Sequence, residues 1–538
     1  AMIGSLADWR PSREDIEAAR TSLIASEALV REKYHFYIMM SGMRFGLFGR
    51  EYIEASTAGV KKAGGRDVEA LLSSCFDPLQ FNAVLIVPPA EAPVEAEEAG
   101  RSTRVLGNGC SLAAVTRTGS DIGAVHVMVR GRSCAEAGAI PGMTVLLNKV
   151  LEESGPGGAL TEELRAIGAT VQSGDNPYIP MDDYYLDRSF SFIRIEGPAT
   201  GIIEATRLVV EHLTSCAVTD EDVEALPALL AGELGVRSAS GQAGLRNGLL
   251  RRLFPGHPYS APIFPAMMSL GRVTAEELTA FRDRTICGAN LIVTLVSPVK
   301  GSEGLDSLEE IFSALPAGER VTCPDLPGAA EADSPGASEP GDTDLESPGQ
   351  GAYIGAAWTI TGPSPAEGAA ASIAAEVLSM RMQLQIRETE GLAYSTGCSA
   401  SLMPGVAVIS ASVSTRAENL EIATEALRNE ISRLAAEPPS AGEIETARRR
   451  VLGRFSRREL SSINEAFAVG LDLLIRDGAG LGRLIAGLPA SGVLDILSRV
   501  MTPDASVLLR MVPGSESAPK GPPGGMEKKS PPPGMMGR

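Results

Sequence analysis

The chain has little with which to hold a metal or a nucleic acid. Its four histidines (His35, His126, His212, His257) stand far apart in 538 residues, and none of its seven cysteines (Cys75, Cys110, Cys134, Cys216, Cys287, Cys323, Cys398) lies in a CxxC pair. The spacing indicates neither a zinc ribbon nor a disulfide framework, and each histidine reads as a packing or surface residue. Scattered cysteines suit a reducing compartment such as the cytoplasm better than an oxidising one. There is no apolar run of about eighteen residues, so no transmembrane helix is expected. No charged-plus-apolar export signal opens the chain. Lys and Arg number 48 against 67 Asp and Glu, a formal charge of −19. That balance argues against nucleic acid or an anionic membrane surface as the main partner.

What is present points to a globular protein with several cores: 44% apolar and 21% charged residues over a length too great for one ordinary domain. It also repeats itself. "PSREDIEAAR" (Pro11–Arg20) returns as "PSAGEIETAR" (Pro439–Arg448), with six of ten positions identical at a constant offset of 428. Ser12 and Ser440 stand as helix N-caps, each with an acid three residues on, Asp15 or Glu443, to complete a capping box. A long helical stretch, a short helix and an apolar strand ending in Val-Pro follow each copy. A third ending of this shape, "VTAEELTAFRDRTICGANLIVTLVSP", contains another box at Thr274 and Glu277. Three endings imply three copies of one α+β unit, the first without its front half.

Composition divides the chain further. Residues 1–89 read as the closing portion of a preceding unit, 90–104 as a linker and 105–323 as a full unit. Residues 324–350, with seven acids and no Lys or Arg, read as a flexible acidic linker. Residues 351–513 form the last unit, and 514–538 a disordered tail. Within the units, "IGAVHVMVRG" alternates like a strand with one wet face. "TGIIEATRLVVEHLTS" has helical spacing with His212 on its solvent side. Ser364-Pro365-Ala366-Glu367 opens a helix that stops at Gly391. "GVAVISASVST" has a strand pattern, and Leu420, Leu427, Ile431 and Leu434 share one helix face. "GQGAYIG" near Gly351 is no phosphate loop, because it precedes a strand.

Three stretches resemble a known family. "LQIRETEGLAYSTG", "LFPGHPYSAPIFPAMMSLGRVTAEELTAFRDRTICGANLIVTLVSPV" and "RVLGNGCSLAAVTRTGSDIGAVHVMVRGRSCAE" are similar to segments of the pitrilysin/insulinase-type zinc peptidases, the inverzincins. The resemblance covers roughly residues 10–88, 103–315 and 351–513. It implies an α+β fold of repeated homologous units, antiparallel sheet with helices packed on it, two units making one half of a clamshell. It further implies peptide hydrolysis, with zinc held by an H-x-x-E-H helix. Aligned from Gly142, the motif positions here hold Val145, Asn148 and Lys149: no ligand, no general base and a cation. Glu233 falls near the distal ligand position but cannot make a site alone. No metal or other cofactor is therefore expected in this chain, and the resemblance puts zinc in a missing N-terminal half or on a partner subunit. The family's second half-site maps onto Arg387 and Tyr394, a guanidinium to anchor a substrate backbone carbonyl and a phenol to meet an oxyanion. The alternative for this pair is structural, Arg387 as a helix C-cap and Tyr394 as a half-buried strand residue.

The resulting expectation is the zinc-free half of a metalloendopeptidase, inactive alone. It would bind peptide or unfolded polypeptide and join either the N-terminal half of the same protein or a zinc-bearing homologue. A non-catalytic peptide-binding or assembly subunit is the other reading.

Overall fold

Both copies of the repeated decapeptide start a helix in the same way. In the first, the Ile16 amide donates to the Ser12 carbonyl at 3.2 Å; in the second, the Ile444 amide donates to the Ser440 carbonyl at 3.1 Å. Arg20 bridges Glu17 and the Ala63 carbonyl, both at 2.6 Å. Its mate Arg448 bridges Glu445 at 3.0 Å and the Ile485 carbonyl. The repeat is one of structure as well as wording. In the computed structural model the described residues are 10–13, 16–17, 19–20, 23, 34–75, 101–153, 159–173, 187–238, 241–263, 267–326, 344–347, 351–458, 461–476 and 478–513. Asp15, the strand expected before residue 89, most of 324–350 and the tail 514–538 lie outside them.

The chain divides into two compact units, residues 1–90 and 91–538. The first contains α1 (Tyr34–Lys62) and α2 (Gly65–Cys75), with α1 broken at Gly49, where φ is 77°. Asp67 caps α2 by accepting from the Gly64 amide at 2.8 Å.

The second unit holds two sheets. One runs in the order β1 (Arg101–Val105), β2 (Ser111–Thr116), β6 (Leu291–Ser297), β3 (Ile122–Arg130), β5 (Phe190–Pro198), β4 (Thr170–Gln172). The other runs β7 (Asp344–Ser347), β11 (Val507–Pro513), β8 (Gly351–Thr361), β10 (Val406–Arg416), β9 (Ser395–Met403). Pairing is antiparallel except for β2 with β6 and β7 with β11. The two stretches read as linkers therefore each contribute a strand: Arg101–Val105 pairs with β2, and Asp344–Ser347 pairs with β11.

The first sheet packs one face on α3 (Met143–Glu153), α4 (Ile202–Ser215), α5 (Asp220–Ser238), α7 (Ala275–Thr285) and α8 (Gly301–Phe312), with α6 (Gly241–Leu253) between α5 and α7 in the chain. The second packs on α9 (Pro365–Met382), α10 (Leu420–Ala436), α11 (Ala441–Arg458), α13 (Leu481–Gly487) and α14 (Ala490–Arg499). Helix α12 (Ser462–Arg476), although it belongs by sequence to the second sheet, lies on the free face of the first. Phe467 and Leu474 meet Met128, Phe190, Phe192 and Ile292 there. Arg117 pairs with Glu465 at 2.9 Å and Arg101 with Asp472 at 3.4 Å to fix its ends. Reciprocally, α6 follows the first sheet's strands yet lies on the second sheet, with Leu245 and Leu249 against Ala357, Leu509 and Met511. Each large side chain buried this way contributes roughly 1.5–3 kcal/mol. This exchange corrects the reading of β3. Its burial runs unbroken from Gly123 to Val129, because α12 covers the face that alternation left wet.

Two polar details also differ from expectation, and a third, His126, agrees with it. Cys134 and Cys323, separated by 189 residues with Cα atoms 5.2 Å apart, form a disulfide that clamps the chain leaving the first sheet against the residues after β3. Residue spacing could not reveal a bond between positions that only tertiary folding brings together. His212 is half-buried rather than solvent-facing, and burial lowers its pKa against the opposing pull of a hydrogen bond to the Leu151 backbone and of Glu163. His126 is fully buried between Phe192 and Phe467, ring centroids 5.8 and 5.4 Å away. The capping boxes at Thr274/Glu277, Ser364/Glu367 and Ser440/Glu443 form as expected. Among the described residues no single helix is long and apolar enough to cross a membrane.

Candidate functional site

Helix α9 begins on its capping box and runs through an apolar, Ala-rich core segment before its geometry changes. From Gln383 to Thr389 the helix widens to a π-helix, in which the Glu390 amide donates to the Gln385 carbonyl at 3.0 Å. Such π-turns carry looser backbone bonding and often present side chains at functional sites. Ile386 points into the core with no exposure, while Leu384 is 65% exposed. Arg387, next to that anchor, is about half exposed, with its nearest acid at 3.8 Å in Glu388. Gly391 then takes φ 65°, a left-handed turn that a side chain would strain. The Leu392 amide returns to the Ile386 carbonyl at 3.0 Å, and Thr415 donates to the Leu392 carbonyl.

The turn delivers Tyr394 to the start of β9. Its amide donates to the Ser414 carbonyl at 2.8 Å, which fixes the backbone, while its side chain stays 60% exposed. The phenol has a partner within the fold. Arg416 Nε donates to Tyr394 Oη at 2.8 Å, and the guanidinium lies 5.8 Å from the ring centroid. The hydroxyl and Glu418 raise the Arg416 pKa further. Arg416 was missed in the sequence because only strand register reveals it: β10 pairs Ser414 with Ser395, which brings Thr415 opposite position 394 and Arg416 one step further along, within reach of the phenol. With one lone pair of Tyr394 Oη taken by Arg416, the O–H remains available to donate outward.

β9 is an edge strand, and among the described residues β10 is its only hydrogen-bonded neighbour. Its sequence, "STGCSASLM", has no proline or charge to block pairing with another chain. Arg387, Tyr394 and this open edge are therefore consecutive in the chain: a guanidinium, a supported phenol, and a ladder of free N–H and C=O groups.

Residues at the zinc-motif positions sit in α3 and are used differently. Val145 packs on the apolar core of the first sheet. Asn148 Nδ2 donates to the Ser173 carbonyl at 2.7 Å, and Ser173 Oγ donates to the Asn148 carbonyl at 3.0 Å. Glu152, one turn on, accepts from the Ser173 hydroxyl at 2.9 Å. These residues do not fit zinc. A valine offers no donor, the amide is committed to holding the backbone after β4, and Lys149 adds a cation. The Glu233 side chain lies outside the described residues, though its backbone is in α5. Among the described residues no three His, Cys, Asp or Glu side chains converge.

Residues 272–451 match the family model described as the peptidase M16 inactive domain. Solved structures are similar over most of the chain. An M16-like peptidase from Alicyclobacillus acidocaldarius matches at TM-score 0.62 and 16% identity, covering 77% of this chain and 98% of that one. A peptidase M16 inactive domain from Pseudomonas fluorescens matches at 0.63 and 18%, covering 77% and 98%. The periplasmic protease PqqL from Escherichia coli matches at 0.59 and 13%, covering 85% of this chain and 52% of its own length. No curated protein sequence matches. At these identities the structures establish the fold, an α+β arrangement of M16 clamshell type. Together with the family model they bear out the resemblance to pitrilysin-type peptidases.

Proposed function

We propose that this chain, which carries a peptidase M16 inactive-type domain, forms the non-zinc wall of a peptide-binding chamber. In this reading it supplies Arg387 and Tyr394 to a hydrolytic site completed by another unit. The observation that carries it is the presentation of that pair. Both side chains are held out of the core around Gly391 and beside an open strand edge, whereas the zinc-motif positions are absorbed into packing.

An extended peptide would add to β9 through backbone hydrogen bonds. The Arg387 guanidinium would donate to a substrate backbone carbonyl. Tyr394 Oη, oriented by Arg416, would donate to the scissile oxygen as it gains charge in the tetrahedral transition state. Water activation by zinc would come from a partner unit with an intact H-x-x-E-H helix, either in the same protein or on a separate subunit.

A second reading, a non-catalytic peptide-binding or assembly subunit, is favoured by the loss of all three motif positions at 145, 148 and 149. One experiment separates the two. The purified chain alone should cleave no peptide and keep less than one zinc per chain after dialysis; combined with its zinc-bearing unit it should cleave, and Tyr394→Phe should lower kcat by roughly 10²–10³ with little change in KM. Full activity in that variant would favour the non-catalytic reading.

For location, the Cys134–Cys323 disulfide supports an oxidising compartment over the reducing one suggested by scattered cysteines. The periplasmic location in the PqqL name agrees with that.

A further inference from the structure

The disulfide joins two places outside the main cores of the sheets. Cys134 belongs to the helical turn Arg132–Ala135 after β3, and Cys323 to the segment that leaves the first sheet for the second. Up to Val321 that segment is held without help from the bond. The Gly288 and Ala289 amides donate to the Pro316 and Ala317 carbonyls at 2.8 and 3.0 Å, and the Val321 amide donates to Asn290 Oδ1 at 2.6 Å. Val321 also crosses tightly over Gly131, where a Cβ would lie 2.4 Å from its Cγ1. Beyond it the chain is more open: Thr322, Pro324 and Asp325 are exposed. There the disulfide, His257 and the contacts of Leu326 hold the backbone.

All three holds converge on Pro404 and Gly405, the turn between β9 and β10. His257 Nδ1 accepts from the Tyr259 amide at 3.1 Å, so the proton of the neutral ring is on Nε2, which donates to the Pro324 carbonyl at 3.1 Å. Tyr259 is 1% exposed; its hydroxyl lies 3.6 Å from Cys323 Sγ and donates to the Pro404 carbonyl at 3.4 Å. Leu326 Cδ1 is 3.7 Å from where a Cβ on Gly405 would stand. Met403, Val406 and Val408 share one apolar cluster with Cys134, Tyr259 and Cys323.

We propose that the Cys134–Cys323 bond is a redox-operated latch. Oxidised, it holds residues 322–326 over the β9–β10 turn; opened by a dithiol reductant, it releases that segment and loosens the turn. Exposure sets the course of the exchange. Cys134 is 8% exposed, whereas Cys323 is partly exposed between two exposed neighbours, so a reductant thiolate attacks Cys323 Sγ. The S–S bond breaks, and Cys134 leaves as a thiolate that takes up a proton. The reductant's second thiolate then attacks its own sulfur in the mixed disulfide and releases Cys323, which is protonated in turn. Two electrons pass to the protein, and the reductant departs as a disulfide. Tyr394 adjoins the other end of β9, so the latch governs the firmness of the edge offered to a peptide. That consequence for turnover rests on the peptidase reading; the latch itself does not.

Hydrogen exchange of the full chain, read by mass spectrometry, tests the latch. Labelling is kept to times at which β2 and β6 stay unexchanged in the oxidised protein. Dithiothreitol should speed exchange at least tenfold in peptides covering 322–326 and 403–408 while β2 and β6 stay unexchanged. The Cys134→Ala/Cys323→Ala double variant should behave as the reduced protein does, with or without dithiothreitol. Oxidised Tyr259→Phe keeps the bond but loses the hydroxyl link, so 403–408 alone should speed up. Unchanged exchange at 403–408 on reduction overturns the proposal, as does exchange of β2 and β6 in step with it, which would mean general loosening. Iodoacetamide labelling of Cys134 or Cys323 in the unreduced protein would overturn it too. Peptide cleavage is followed in parallel with a zinc-bearing unit present. Redox-dependent exchange without any cleavage would count against the peptidase reading alone.

Discussion

The helix that holds Val145, Asn148 and Lys149 and the segment that holds Arg387 and Tyr394 have opposite relations to their cores. In the first, every side chain at a motif position with a described contact is used for packing or an internal hydrogen bond. In the second, a π-turn, a left-handed glycine and a guanidinium hold two polar side chains in the open. A site kept for function leaves capacity unused in the resting fold; a site turned to structure has none left. If that contrast is right, changes in the first region should cost stability and changes at Tyr394 should not.

The largest effect should come from the disulfide that closes the first region. Cys134 and Cys323 enclose 189 residues of separation, so opening the bond frees a long loop in the unfolded state. Cys323→Ser, or thorough reduction, should lower stability by roughly 2–5 kcal/mol. Thermal unfolding with and without reductant measures it; an unchanged midpoint would show that the two thiols are not joined in the folded protein.

His126 should respond next, and only to acid. Burial, helped by the nearby Arg194 cation, lowers its pKa from 6.5 to about 3. Below pH 6.5 the unfolded chain takes a proton that the folded chain refuses until about pH 3, so stability falls as pH falls across that window and is recovered above it. Between pH 7 and pH 5 the loss should be about 2 kcal/mol, from 1.36 kcal/mol per unit of difference. His126→Leu should flatten urea-midpoint profiles over that range. An equally steep profile in the variant would assign the acid response to other groups.

Asn148→Ala should cost about 1–2 kcal/mol, since it leaves the Ser173 carbonyl without its 2.7 Å donor. Chemical denaturation of the variant measures this. A neutral result would mean that the amide does not hold the β4 end and that the position is vacant rather than reused.

What could be read before folding was local. The capping boxes at Thr274, Ser364 and Ser440 need only residues three apart, and all three form. The Arg387–Tyr394 pair came from the family resemblance, and local sequence alone left it open to a structural reading. The buried second face of β3 was not legible, because the helix that covers it comes more than 330 residues later, from Ser462. The disulfide was hidden by its separation, and Arg416 by strand register, which places it beside Tyr394 from 22 positions away. Alternation in β3 reported one face faithfully and said nothing of what crosses over to the other.

Tyr394→Phe should have the smallest effect on the fold and gives the sharpest test of the contrast. The side chain is 60% exposed and its backbone is held independently by the Ser414 carbonyl. Loss of the hydroxyl removes one bond to Arg416, whose guanidinium can turn to water and to Glu418, 3.8 Å away. A surface change of this kind stays within about 0.5 kcal/mol. The ring and its contact with the guanidinium remain, so the strand start should not shift. Differential scanning calorimetry of the chain should therefore find the variant and parent midpoints within about a degree or two. A drop of several degrees would make the phenol a strut of the β9–β10 edge, and Arg387 with its π-turn would then have to be explained as structure too. An unchanged midpoint, joined to a loss of turnover when the chain is combined with a zinc-bearing unit, would assign Tyr394 to the reaction, because the stability of the fold would not depend on its hydroxyl or on the bond to Arg416.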